Sequence, residues 1–253
     1  MELKVKIFFV VQTRIKLFHN LETIKMLISH KHKFIFVHVQ KTAGQSLTET
    51  LKKNVPDLEK LVTQHKHGSA ITGRDILGVD KWNEYYKFAF VRNPWDRLVS
   101  WYSMILGICL DEKMSQNYSS YNLWHKVVRN YRKYRYLNRS NNSKFYSYVL
   151  KNCNSFEDFI KNSHRDNMKN MRNQLDYLVD EEGNIIVDFI GKFESLENDF
   201  NQLKSNLNLS HMELPHVTHK SKHRNYQEYY NDEIREIVQE RYHKDIKYFN
   251  YNF

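Results

Sequence analysis

Only two cysteines, Cys109 and Cys153, occur in the 253 residues. Two cannot build a disulfide framework, and neither stands at a metal-ligand spacing. A reducing compartment is therefore expected. Long apolar runs are missing as well. The N-terminal run of residues 7–11 falls far short of the roughly 20 residues a membrane span needs. It is also too short for the core of a signal peptide and has no small-residue cleavage site. These absences lead us to expect a soluble, cytoplasmic protein with no transmembrane segment. Glycine and proline are scarce, at seven and three, while Asn, Lys and Tyr abound. We read that as compositional bias rather than function. No internal repeat is visible.

What is present describes a globular chain. Hydrophobic residues make up 41% and aromatic residues 14%, which is enough for a substantial core. Lys and Arg outnumber Asp and Glu by 39 to 29, a net charge of +10. Such a surface favours anionic partners: nucleotides, acidic polysaccharide, nucleic acid or an anionic membrane. A merely soluble basic surface has the same composition.

Two segments about fifty residues apart carry the chemistry. Residues 34–46, Phe-Ile-Phe-Val-His-Val-Gln-Lys-Thr-Ala-Gly-Gln-Ser, read as a buried strand, a tight loop with a lysine, and a helix start. Residues 87–102, Lys-Phe-Ala-Phe-Val-Arg-Asn-Pro-Trp-Asp-Arg-Leu-Val-Ser-Trp-Tyr, again read strand, turn, helix. Each is an anion cradle, and together they suit a nucleotide with phosphate at both ends of its ribose.

In the first cradle, a strand that turns through small residues into a helix aims unpaired backbone N–H groups in one direction, aided by the helix dipole. Lys41, Thr42, Ala43, Gly44, Gln45 and Ser46 fit that geometry. Gly44 permits close backbone approach, Lys41 adds a charge, and Thr42 and Ser46 add hydroxyls. The Gly-x-x-x-x-Gly-Lys-Ser/Thr pattern of nucleotide triphosphatases is absent, since the lysine precedes the glycine by three. That argues against ordinary ATP or GTP hydrolysis. A plain strand–helix turn capped by Ser46 is the bland alternative.

In the second cradle, Arg92 ends a strand and Ser100 follows two helical turns on. Both would lie at the carboxyl edge of the sheet, where open α/β sheets bind ligands. Arginine suits a bidentate grip on phosphate. Arg97 either assists, pairs with Asp96 or covers the surface. Trp95 and Trp101 are read as packing residues rather than stacking platforms, and His38 as a packed strand residue.

Around the cradles, Leu47 and Leu51 mark a helix over residues 46–53, and residues 71–77 a short one. Pro94 sits at a tolerated first helical position. Residues 174–180 and 185–193 flank a turn at 181–184 and read as a hairpin. Leu196, Phe200, Leu203 and Leu207 mark another helix, and residues 231–249 a last one. Strands alternating with helices predict an α/β fold with a central, mainly parallel sheet. Residues 1–25 form an N-terminal extension, either a strand and helix or an upstream segment. Residues 26–253 form a single domain. Residues 110–150, with Tyr131-Arg-Lys-Tyr-Arg-Tyr136, are an insertion too long to be an idle loop.

The ordered set of segments resembles the sulfotransferases of the carbohydrate (Golgi-type, family 2) group, over roughly residues 26–253. Residues 34–46 are similar to that family's 5′-phosphosulfate loop and residues 88–102 to its 3′-phosphate segment. Residues 173–178, 188–196 and 245–253 resemble later landmarks. Gln40 stands where the family usually has proline, and Gln45 where it has threonine. The second change replaces a hydroxyl contact with an amide. The resemblance implies a P-loop-like sulfotransferase fold. It implies 3′-phosphoadenosine 5′-phosphosulfate as donor co-substrate, and metal-independent, in-line transfer of a sulfuryl group to a saccharide hydroxyl. Lys41 would then neutralise charge on the leaving phosphate.

The acceptor hydroxyl needs a base, and histidine has the suitable unperturbed pKa. Residues 64–70, Gln-His-Lys-His-Gly-Ser-Ala, lie between the cradles. His67 resembles the position of the family's base, and His65 is the second candidate. A loop before the last helix covers the nucleotide in the family, which makes Ser221, Arg224 and Tyr226 candidate contacts here. In the insertion, Arg129, Arg132, Lys133 and Arg135 with Tyr131, Tyr134 and Tyr136 would suit an acidic glycan. A solvated helical face explains them equally. A nucleotide-dependent kinase, a basic nucleic-acid-binding protein and a sulfotransferase that binds without catalysing are the rival readings. No nucleic-acid-binding motif is recognised.

Overall fold

The computed structural model describes residues 26–61, 68–106, 144–162, 171–214 and 225–253. Five short strands form one sheet in the order β3-β1-β2-β4-β5. Their ranges are β1 Leu27–Ser29, β2 Phe34–Phe36, β3 Leu58–Lys60, β4 Tyr86–Val91 and β5 Phe189–Lys192. The expected mainly parallel sheet is in fact mixed. β2–β4 and β4–β5 are parallel, whereas β1 pairs antiparallel with both β2 and β3. The cause is the short connection from Ser29 to Phe34, which can join only antiparallel neighbours. Leu27–Ser29, just ahead of the strand expected from residue 34, is itself a strand.

Side chains alternate across the sheet, as period-two geometry requires. Phe34, Phe36, Phe88 and Phe90 enter one apolar layer with Leu47, Leu51, Phe200 and Leu203. The Phe36 and Phe88 rings stack with centroids 5.1 Å apart. Ile35, Val37, Ala89 and Val91 face the opposite layer with Trp82, Tyr177 and Leu178. Because both faces are covered, residues 34–37 and 88–91 read as unbroken apolar runs in the sequence.

Helix α1, Gly44–Asn54, follows β2, and its Leu47 and Leu51 enter the phenylalanine layer. Helices α2, Ala70–Leu77, and α3, Val79–Glu84, lead into β4. Helix α4, Pro94–Leu106, follows β4 with its proline at the first helical position. Trp95 and Trp101 are buried, in agreement with their reading as packing residues. They join a third apolar cluster with residues of α5, Lys144–Asn152, α6, Phe156–Asn162, and α8, Asp232–Arg241.

The hairpin expected around residues 181–184 reduces to one bridge, Val179 with Ile185, closed by a turn in which Gly183 has φ 87°. Helix α7 spans Leu196–Asn206. The last expected helix is broken in two. α8 is capped by Asn231, whose side chain accepts the Ile234 N–H at 3.0 Å. α9, His243–Phe249, starts after Tyr242 leaves helical geometry. The buried Tyr242 hydroxyl donates to the Met171 carbonyl at 2.8 Å, and the break turns Asp245 inward. Of the insertion, residues 110–143 lie outside the described residues, including every Arg, Lys and Tyr named there as an acceptor contact. So do residues 1–25.

Candidate functional site

β2 and β4 are parallel neighbours, so the segments that follow them leave the same carboxyl edge of the sheet. The two cradles therefore adjoin. Arg92, the residue after β4, points its Nη1 at the Lys41 carbonyl oxygen, 3.4 Å away.

The loop between β2 and α1 holds two non-glycine residues in the left-handed region, Lys41 at φ 69° and Ala43 at φ 68°. Each costs on the order of 1–3 kcal/mol of local strain, which the surroundings must offset. Such alternation curls successive N–H groups into a concavity that favours anions. The N–H groups of Gly44, Gln45 and Ser46 in the first turn of α1 have no intrahelical acceptor. Ala43 occupies the cap position without a side-chain cap bond.

Thr42 is fully buried and donates its hydroxyl to the Val39 carbonyl at 2.9 Å. Its side chain closes the loop instead of facing outward as a ligand hydroxyl. Gln45 is exposed, and its amide reaches Glu49 one turn along at 3.4 Å. Ser46 is half-buried. At Gly44 the close neighbour is the His38 imidazole: a Cβ there would sit 1.7 Å from Nε2. His38 is thus packed, as expected, but against the loop rather than within a strand.

Lys41 is half-buried. Burial, and secondarily the Arg92 guanidinium, lower its pKa to about 8. A cation so placed gains strongly from an arriving anion.

Arg92 is 3% exposed. Its Nε donates to Asp96 at 2.7 Å, and its guanidinium carbon lies 3.9 Å from the centroid of the Phe193 ring. Nη2 is buried with no hydrogen-bond partner. Gln174 clamps the backbone of Arg92 from both sides, accepting its N–H at 2.9 Å and donating to its carbonyl at 2.7 Å. Gln174 is held in turn by the buried Asp245, which takes the N–H groups of Gln174 and Leu175 at 2.8 and 2.9 Å. Ser100 is half-buried on α4, one turn beyond Asp96.

Asn93 ties this corner to the end of the chain. Its N–H donates to Glu194 at 2.6 Å, and its amide donates to the Asn252 carbonyl at 2.8 Å and the Tyr226 hydroxyl at 3.4 Å. Tyr226, expected from sequence as a nucleotide contact, thus stands beside the second cradle. Burial raises the Glu194 carboxyl. Burial, then Asp96 and Glu194, raise the Tyr226 phenol.

Two of the three sequence readings of Arg97 do not hold. Asp96 pairs with Arg92 instead, and Arg97 is 1% exposed, so it neither pairs with Asp96 nor covers the surface. Its Nε donates to the Gln40 carbonyl at 3.0 Å and Nη1 to the Arg172 carbonyl at 3.3 Å. The support from Gln174, Asp245, Phe193 and Glu194 also escaped the sequence reading. Residues 173–178, 188–196 and 245–253 stood out as landmarks, but nothing in them says which side chain meets Arg92. His65, His67, Ser221 and Arg224 lie outside the described residues. Among the described residues no cluster of three His, Cys, Asp or Glu could hold a metal ion. Nor is any described helix long and apolar enough to cross a membrane.

Comparison with known proteins assigns the class. The model of the Sulfotransferase family matches residues 25–252, and the chain belongs to that family. No curated protein and no solved structure gave a significant match. Membership implies a transferase that moves a sulfuryl group from a nucleotide donor to an acceptor.

Proposed function

We propose that the protein transfers a sulfuryl group from 3′-phosphoadenosine 5′-phosphosulfate to a saccharide hydroxyl, on a P-loop-like sulfotransferase fold spanning residues 26–253. The observation that supports a doubly phosphorylated donor is the adjacency of two differently built cationic corners. Lys41 lies in a strained loop at a helix start, and Arg92 lies 3.4 Å from that residue's carbonyl with Nη2 unsatisfied in the interior. A buried guanidinium nitrogen without an acceptor is unfavourable, and a phosphate oxygen would complete it. The depressed Lys41 pKa fits the same description of a cation short of its counter-anion.

In this reading Arg92 and Ser100 hold the 3′-phosphate, with Tyr226 beside them and Ser221 and Arg224 as further contacts. Lys41 and the N–H groups of residues 42–46 hold the 5′ end. When bound, the donor supplies the sulfuryl group and departs as the bisphosphate. Lys41 stabilises the charge on the departing oxygen. Loss of one preorganised donor of this kind costs about 3–4 kcal/mol of barrier. His67, with His65 as second candidate, takes the acceptor proton. An acidic saccharide suits the net charge of +10 and the cationic insertion.

The test is transfer of labelled sulfate from this donor to a panel of neutral and acidic glycans. Label on a glycan supports the proposal. Binding of Mg²⁺·ATP with phosphate transfer and no sulfate transfer would replace it with a kinase. Steeply salt-dependent polynucleotide binding with neither transfer would make the chain a nucleic-acid binder.

A further inference from the structure

Arg97 has no assigned role in the transfer, yet it is one of the most completely buried large side chains. Burying a guanidinium costs several kcal/mol unless it is well partnered. Its neighbour Asp96 serves Arg92. The hydrogen bonds of Arg97 go to two backbone carbonyls from distant parts of the chain, Gln40 at 3.0 Å and Arg172 at 3.3 Å, and its Nη2 is buried without a partner.

A peptide unit is planar and trans, so its C=O and N–H point in opposite directions. Holding the Gln40 carbonyl therefore fixes the direction of the Lys41 N–H, turned away from Arg97. The next unit is held in the same way: Arg92 Nη1 meets the Lys41 carbonyl at 3.4 Å, which aims the Thr42 N–H away from Arg92. Two successive peptide planes of the strained loop are each gripped by an arginine of the segment after β4. The Arg172 end of the brace is anchored as well, since the next residues, Asn173 and Gln174, contact α8 and α9 and clamp Arg92.

We infer that Arg97 is a positioning residue, whose bridge between the Gln40 and Arg172 carbonyls orients the Lys41 loop for transfer. The inference rests on the sulfuryl-transfer reading of the site. It also accounts for Gln40. The brace takes the carbonyl and not the side chain, so it does not depend on which residue stands at position 40.

The test compares Arg97→Gln and Arg97→Lys with Tyr242→Phe. The last removes only the hydroxyl bond to the Met171 carbonyl, while Asp245 and Arg92 still hold Gln174 and both Arg97 bonds remain. We expect kcat to fall about 10²-fold in Arg97→Gln, the scale of a 1 Å misplacement, with less change in donor KM. Arg97→Lys, which keeps the charge but cannot fork between two carbonyls, should fall by at least about tenfold; it serves as the readout if Arg97→Gln does not fold. In the ligand-free protein, NMR of labelled lysine should show the Lys41 midpoint rising above about 8 as the freed loop admits water. Tyr242→Phe should keep wild-type kcat and the wild-type midpoint even with a lower melting temperature. Wild-type kcat in a folded Arg97→Lys, or an equal kcat loss in Tyr242→Phe, overturns the inference alone. A wild-type protein with no sulfuryl transfer and no bisphosphate binding overturns the functional reading with it.

Discussion

The Nη1 of Arg92 lies 3.4 Å from the carbonyl oxygen of Lys41, so the ends of two neighbouring parallel strands meet in one corner. Arg92 is thereby both a wall of the loop and, through its unpartnered Nη2, a candidate ligand. Arg92→Ala should weaken binding of 3′,5′-bisphosphoadenosine by about 10- to 100-fold, the loss of about 1.5–3 kcal/mol for a charged hydrogen bond. Titration calorimetry of the purified variant measures it. An unchanged dissociation constant would remove Arg92 from the site.

On the proposed reading, Lys41 should make donor binding pH-dependent. Its folded pKa of about 8 lies below the ordinary 10.5. Between those values the unfolded chain carries more protons, so this residue's contribution to stability rises with pH across that window. Binding an anion has the opposite sign, because it favours the ammonium form. Bisphosphate affinity should therefore fall as pH rises above about 8, with net proton uptake on binding between pH 8 and 9. Calorimetry in two buffers of different ionisation enthalpy reads the uptake, and Lys41→Met should abolish it.

Gly44 has no room for a side chain because the His38 imidazole fills the space. Gly44→Ala must displace that ring or the loop, and should lower both melting temperature and transfer rate. Trimming the ring in His38→Ala should restore part of the stability lost in Gly44→Ala. Additive destabilisation in the double variant would show that the two positions are uncoupled.

The proposed base acts on the acceptor, not on the donor. His67→Ala should lower turnover by about 10²–10⁴-fold and leave bisphosphate affinity near wild type. If turnover stays unchanged, the same assay on His65→Ala tests the second candidate.

The strands and helices beside the site were legible because their signals are local. Residues 34–37 and 88–91 are apolar runs from a doubly covered sheet, and Pro94 opens α4 as its position suggests. The antiparallel half was not legible. The three-residue strands at Leu27–Ser29 and Leu58–Lys60 are too short to show a period. Lys41 and Ala43 carry no mark of left-handed backbone, which is ordinarily left to glycine or asparagine. The conformation comes from what holds the loop: Thr42 on Val39, His38 against Gly44, and Arg97 on Gln40. Gln174 and Asp245 act on Arg92 from far along the chain, and only the folded structure brings them to it. The break at Tyr242 likewise follows from a tertiary bond to Met171 that overrides a continuous helical pattern.

A single comparison of ligands tests the two-ended grip most directly: calorimetric affinities of 3′,5′-bisphosphoadenosine, adenosine 5′-phosphate and adenosine 3′-phosphate, measured in chelator. The account predicts that the bisphosphate binds at least about tenfold more tightly than either monophosphate, a difference of about 1.4 kcal/mol. It further predicts that Arg92→Ala erases the advantage contributed by the 3′-phosphate. Equal affinities for all three nucleotides, or binding only with Mg²⁺, would contradict it.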